Sequence, residues 1–301
     1  MCGIIGVRVK KNAPEMQALM VDVFENQKTR GTDGGGMLIK RGDELKRIRV
    51  ADPTELLTIK YAHVWSRLQE GDIVLFHHRY PTQGGDGTVP ESNHPFISED
   101  GKTALIHNGI ISNDDALAKK LRKAKHKFES TYKKDKRIEI TDSEVILHYL
   151  DRGPIGKAMK RMRSNVRGSM AIAFVRADEE CIYLYRDMNP IVYFEDRLGN
   201  QFFASEEPKF EGLKNVQPLK RETLFTVDGQ GLNELAEYPM PAYTPQQKTL
   251  PYVTPNRRMW DDAGVSNGYS VDPWSSDDEE EDEDDDDETI DDEAYTGWKE
   301  E

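Results

Sequence analysis

Cys2 is the residue of this sequence best placed for covalent chemistry. Its side chain is small enough for a preceding initiator methionine to be removed, which leaves a thiol and a free α-amine on one residue. An unperturbed α-amine has a pKa of ~7.7–8.0 and a thiol one of ~8.5, so such an amine can take the thiol's proton near neutral pH. Position 2 alone offers both groups. The plainer reading, a small buried hydrophobe, also stands for Cys2, and it fits Cys181 within the apolar stretch CIYLY. Two cysteines make neither a disulfide framework nor a four-cysteine zinc site.

Three further positions could work with that thiol. Asn108-Gly109 lies within LIHNGII. The pair is a common turn signal, but between apolar flanks it would end a buried strand. There a side-chain amide and a glycine N–H can both point at a developing oxyanion. Arg79 follows His77 and His78 and precedes Tyr80, Thr82 and Gly84. It is either a solvated strand-end charge or a two-pronged carboxylate ligand. His77 and His78 face opposite sides of a strand with no companion cluster, so no metal is expected, nor any cofactor. Asp142 sits in Thr141-Asp142-Ser143-Glu144. Thr141 with Glu144 fits a capping box, and from the same helix start Asp142 can instead pair with a ligand's ammonium group.

The elements that must position these residues alternate between strand and helix. Strands are expected at 3–9, 37–40, 72–80 and 103–107, and later at 169–175, 181–186, 191–194, 201–204 and 222–227. Helices are expected at 14–28, 54–66, 114–128 and 142–151. In the first of these, Met16, Leu19, Met20, Val23 and Phe24 recur at helical spacing behind Pro14. The glycine-rich 84–87 reads as loop.

Charge divides the 301 residues, whose formal net is −14. Residues 275–301 hold 17 acids and one base, while the preceding 274 residues come to +2. Residues 1–237 are therefore expected to form one domain, 238–274 a proline-rich flexible linker and 275–301 an extended acidic tail. The twelve consecutive acids Asp277–Glu288 can dock on a basic protein partner or act only as a solubilising segment. A near-neutral body with a single basic run, lacking interleaved aromatics, argues against direct nucleic-acid binding. No apolar run reaches the ~18 residues of a membrane span, and no secretory signal opens the chain, so a cytoplasmic location is expected.

Taken in order, these motifs resemble the class II glutamine amidotransferases. These are N-terminal-nucleophile hydrolases that include the glutaminase domains of glucosamine-6-phosphate synthase, amidophosphoribosyltransferase and asparagine synthetase. The resemblance runs through Cys2-Gly3-Ile4-Ile5-Gly6, Arg30-Gly31-Thr32-Asp33, His78-Arg79-Tyr80-Pro81-Thr82-Gln83-Gly84 and Asn93-His94-Pro95. It continues with His107-Asn108-Gly109-Ile110-Ile111, Thr141-Asp142-Ser143-Glu144 and Gly168-Ser169 with Ala171. It implies an α+β fold, a four-layer αββα sandwich of two mainly antiparallel sheets. It also implies that Cys2 attacks the amide of glutamine to give a γ-glutamyl thioester, then glutamate and ammonia. Asn108 and Gly109 would form the oxyanion hole. Arg79 would bind the α-carboxylate and Asp142 the α-ammonium, with Tyr80 and Thr82 lining the pocket.

The sequence departs from the family at Gln83, Thr32 and Gly34, and residues 130–138 read as an insertion. A 64-residue appendage is too short for a synthase, so a separate ammonia-accepting synthase chain is the expected partner. Two other functions compete: hydrolysis of another γ-glutamyl amide, and a non-catalytic interaction module acting through the acidic tail.

Overall fold

A computed structural model describes residues 2–80, 89–134 and 137–240. Thr82, Gln83, the 84–87 loop, the linker beyond 240 and the acidic tail lie outside the described residues. The first half of the chain forms β1 (Gly3–Arg8), α1 (Pro14–Gln27), β2 (Gly35–Arg41), β3 (Glu44–Val50), α2 (Ile59–Ser66), β4 (Ile73–His78), β5 (Phe96–Ile97) and β6 (Thr103–Ile111). There follow α3 (Asp114–Lys123), β7 (Tyr132–Lys134), β8 (Arg137–Glu139), α4 (Asp142–Leu150), α5 (Ile155–Asn165) and β9 (Gly168–Arg176). The remainder is β10 (Ile182–Arg186), β11 (Val192–Glu195), β12 (Gln201–Ala204), β13 (Lys214–Pro218), β14 (Thr223–Asp228) and β15 (Gly231–Glu237).

Two large antiparallel sheets result among the described residues, with β7 and β8 paired as a separate hairpin. The seven-stranded sheet has the order β13-β11-β12-β1-β4-β2-β3, and the six-stranded sheet β15-β14-β10-β9-β6-β5. Three apolar clusters divide the molecule into layers. Ile5 and Val7 of β1 meet Met16, Leu19, Val23 and Phe24 of α1 on one outer side. Ile4, Leu38 and Leu75 meet Ala104, Ile106 and Ala173 between the sheets. Ile172 and Phe174 pack on Val145, Ile146, Met159 and Met162 on the other outer side. The four-layer αββα sandwich is thus the observed architecture. It also explains why the β1 sequence is apolar at nearly every position: a strand covered on both faces has no polar side. No helix among the described residues is long and apolar enough to cross a membrane.

Three local expectations are corrected. Residues 54–66 form a 3-10 turn at Pro53–Leu57 and then α2, because the backbone hydrogen bonds break at Thr58. The helix expected to 128 ends at Lys123. Lys125 turns into the left-handed region (φ 65°), and the N–H groups of Lys125 and His126 return to the carbonyls of Arg122 and Leu121. Asn108-Gly109 makes no turn, since β6 runs through both residues and pairs them with Ala171 and Met170 of β9. A side chain at Gly109 would meet the Ser169 carbonyl oxygen at 1.9 Å, so only glycine lets β9 approach there.

Candidate active site

Cys2 immediately precedes β1, the central strand of its sheet. Register sets Gly3 opposite His78, which brings Cys2 beside Arg79 and Tyr80 at the end of β4. The half-buried thiol lies 3.6 Å from the Tyr80 carbonyl oxygen and receives the Tyr80 N–H at 3.5 Å. The Arg30 Nε donates to the Cys2 carbonyl at 3.0 Å, and Arg30 Nη1 pairs with Glu206 at 2.6 Å. Burial pushes the Cys2 thiol above its ordinary pKa. The Tyr80 hydrogen bond and the Arg79 charge pull it back, while the Asp142 carboxylate works in the same direction as burial. A thiol in that condition is a poor nucleophile at neutral pH until a nearby base takes its proton.

The loop between α1 and β2 seals this corner. The Asp33 N–H reaches the Arg79 carbonyl at 3.1 Å, and the Arg79 N–H reaches the Gly34 carbonyl at 2.8 Å. A side chain at Gly31 would strike the Arg79 carbonyl at 2.4 Å, which accounts for glycine in the Arg-Gly-Thr-Asp stretch. Arg79 itself is buried, its Nη1 donating to the Ser92 carbonyl at 2.5 Å and to Asn93 Oδ1 at 3.1 Å. Of its two readings, the solvated strand-end charge is therefore excluded. Tyr80 is half exposed, at the rim.

The opposite sheet supplies the other residues. Asn108 is buried in β6, and its Nδ2 has no hydrogen-bond partner among the described residues, while Asn189 Nδ2 holds its backbone carbonyl at 2.7 Å. An unpaired buried amide costs about 1–3 kcal/mol. Asp142 opens α4 and is also buried. Its Oδ2 accepts the Ile111 N–H at 2.8 Å and its Oδ1 the Ser143 hydroxyl at 3.1 Å. The capping box is not formed: Thr141 makes no side-chain cap bond. Glu144 instead accepts from the Glu129 N–H, the Ser130 N–H and the Ser130 hydroxyl. A four-residue pattern cannot anticipate partners supplied by a loop twelve or more residues away.

Sequence reasoning overlooked a histidine layer behind the site. The His77 and His94 rings lie 3.9 Å apart, and His77 Nε2 donates to the His107 carbonyl at 3.0 Å. His107 Nδ1 is 2.8 Å from the Ser143 hydroxyl. The Ser143 hydroxyl in turn donates to Asp142, so His107, Ser143 and Asp142 form one chain that ends on the carboxylate. The signal available was the histidine within each motif, in Asn93-His94-Pro95 and His107-Asn108-Gly109. Asn189 carried none, because Asn-Pro reads simply as turn initiation.

Burial holds His77 and His94 well below the ordinary histidine range, and His107 below it. The unfolded chain binds those protons below pH ~6.5 whereas the fold does not. Stability is therefore complete above that pH and declines as pH falls beneath it, by about 1.4 kcal/mol per pH unit per histidine. Urea unfolding is expected to show a loss of about 2 kcal/mol or more between pH 7 and pH 5.5, chiefly from His77 and His94. Equal stability at the two pH values would contradict the assignment of neutral buried rings.

Comparison with known proteins extends the picture. Residues 86–211 match the family described as "Glutamine amidotransferase domain". Glutamine–fructose-6-phosphate aminotransferase (isomerizing) from Thermus thermophilus is 31% identical over 232 residues, covering 76% of this chain and 34% of the relative. The protein of the same name from Thermococcus kodakarensis is 31% identical over 236 residues, covering 76% of this chain and 35% of the relative. The chain thus spans about a third of the length of these curated relatives. Among solved structures, glutamine phosphoribosylpyrophosphate amidotransferase from B. subtilis superposes with a TM-score of 0.60 at 18% identity, over 80% of this chain and 50% of that one. At that identity the likeness is one of fold.

Proposed function

The chain belongs to the class II glutamine amidotransferases of the N-terminal-nucleophile type, and from that membership we propose that it hydrolyses the side-chain amide of glutamine to glutamate and ammonia. The observation that supports the reading is the Asn108 Nδ2, buried with no hydrogen-bond partner among the described residues, alongside the Arg79 and Asp142 charges that act on the Cys2 thiol. Removal of Met1 frees the Cys2 amine, which takes the Sγ proton as sulfur attacks the amide carbon. The carbonyl oxygen becomes an oxyanion held by Asn108 Nδ2–H and the Gly109 N–H. Collapse expels ammonia, which receives the proton from the amine and leaves a γ-glutamyl thioester. Water then attacks with the same amine as base, releasing glutamate and restoring the thiol.

The amino-acid end of the substrate needs an anion and a cation site. Arg79, its guanidinium oriented by Ser92 and Asn93, takes the α-carboxylate, and Asp142 takes the α-ammonium. Tyr80 covers the pocket from the rim, and Thr82 is assigned to its lining on the resemblance alone.

Ammonia passes to an acceptor enzyme on a separate chain in the cytoplasm, with residues 1–237 as the glutaminase domain. The 238–274 segment and the 275–301 acidic segment serve to dock a basic partner in this reading. Release of glutamate and ammonia should be measured with glutamine, asparagine and γ-glutamyl dipeptides. Glutamine is expected to be the best substrate. A preference for γ-glutamyl peptides would replace the amidotransferase reading with a hydrolase of other γ-glutamyl amides.

A further inference from the structure

Away from the Cys2 corner, three chain segments bring metal-ligating atoms to one point. Glu99 lies in the turn between β5 and β6, His126 just past α3, and His148 in the last turn of α4. One ligand atom from each lies within 4.8 Å of the other two. His126 Nδ1 is 3.1 Å from His148 Nδ1 and 3.7 Å from Glu99 Oε1. Two nitrogens bound tetrahedrally to one zinc ion at ~2.0–2.1 Å would stand about 3.3 Å apart, so the pair is already close to ligand spacing.

A fourth group lies alongside. Asp151 caps α4, and its Oδ2 is 4.0 Å from His148 Nδ1. The carboxylate is buried to 4% exposure, and its Oδ1 has no hydrogen-bond partner among the described residues. Its nearest basic side chain is the largely exposed Arg152, whose Nε is 3.8 Å from Oδ2.

We propose that Glu99, His126 and His148, completed by Asp151, form a divalent-metal site of zinc type. Imidazole and carboxylate ligands suit zinc, and two carboxylates balance its charge. The surroundings are arranged for it. The Lys127 N–H donates to Glu99 Oε1 at 3.0 Å and orients that carboxylate. The negative end of α4 favours a cation at its last turn. His126 is delivered by the left-handed turn at Lys125 that ends α3. With four protein ligands the site is structural. It ties the β5–β6 turn and the end of α3 to α4, the helix whose first residue is Asp142. The competing arrangement is a hydrogen bond between the two histidine rings, with no affinity for metal.

The test is zinc titration of the full chain, prepared without a polyhistidine tag and in a Cys2→Ala background to remove that thiol. Excess magnesium occupies the carboxylate tract of the tail. One zinc per chain with micromolar or tighter affinity and a raised thermal midpoint is expected. His126→Ala and Glu99→Gln, both near the surface and compatible with folding, should each weaken binding by at least about tenfold. Failure to bind one equivalent, or binding unchanged in both variants, would overturn the site.

Discussion

Replacing Cys2 by alanine is expected to abolish glutamine hydrolysis while leaving the fold intact. Removal of a nucleophile typically costs on the order of 10⁴–10⁶ in kcat, more than any other single change in such a site. Stability should hardly move. Among the described residues the side chain's hydrogen-bond contacts are the long sulfur ones to Tyr80, at 3.5 and 3.6 Å, whereas Arg30 grips the Cys2 backbone carbonyl, which the substitution keeps. Ammonia release and thermal unfolding measured on one preparation check both halves. Residual activity within about tenfold of the parent would remove Cys2 from the mechanism. Cys2→Ser is the companion variant: it keeps a proton to transfer but offers a weaker nucleophile, and it should be nearly as inactive.

Asn108→Ala is expected to lower kcat by about 10²–10³, the cost of losing one oxyanion donor, with little change in KM. Its effect on stability should run the other way. Asn108 Nδ2 is buried with no partner among the described residues, so deleting it removes a desolvation cost of about 1–3 kcal/mol while sacrificing no hydrogen bond of its own. The backbone carbonyl that Asn189 holds is retained. A variant crippled in turnover but as stable as its parent, or more so, is the signature of a donor reserved for the transition state. Were Asn108 a structural residue, kcat and the unfolding midpoint would fall together.

Candidate chemistry was easier to pick out in the sequence than the pairing of its elements. Cys2, Arg79, Asn108 and Asp142 stand in short local motifs, and a motif reports residue type and spacing directly. What it hides is the partner. Asn108-Gly109 reads as a turn because the sequence does not show β9 pairing alongside, and Glu144 reads as a cap because Ser130 is remote. Buried strands and α1 were readable from their apolar patterns. Those overlooked are chiefly edges: β3 (ELKRIRV), β13 and β15 expose much of their length, so charge and polarity mask their alternation. The helix α5 was readable but missed. Ala158, Met159 and Met162 make a helical stripe that basic neighbours dilute. The four-layer arrangement itself came from the family resemblance, since no local pattern tells which faces of two sheets will meet.

The central claim is that Cys2, freed of Met1, is a glutamine-directed nucleophile. Intact mass of the purified protein before and after exposure to an electrophilic glutamine analogue tests it most directly. The account predicts loss of Met1 and a single adduct that maps to Cys2 and is blocked by excess glutamine. Met1 removed with no adduct, or an adduct that persists in Cys2→Ala, would contradict it.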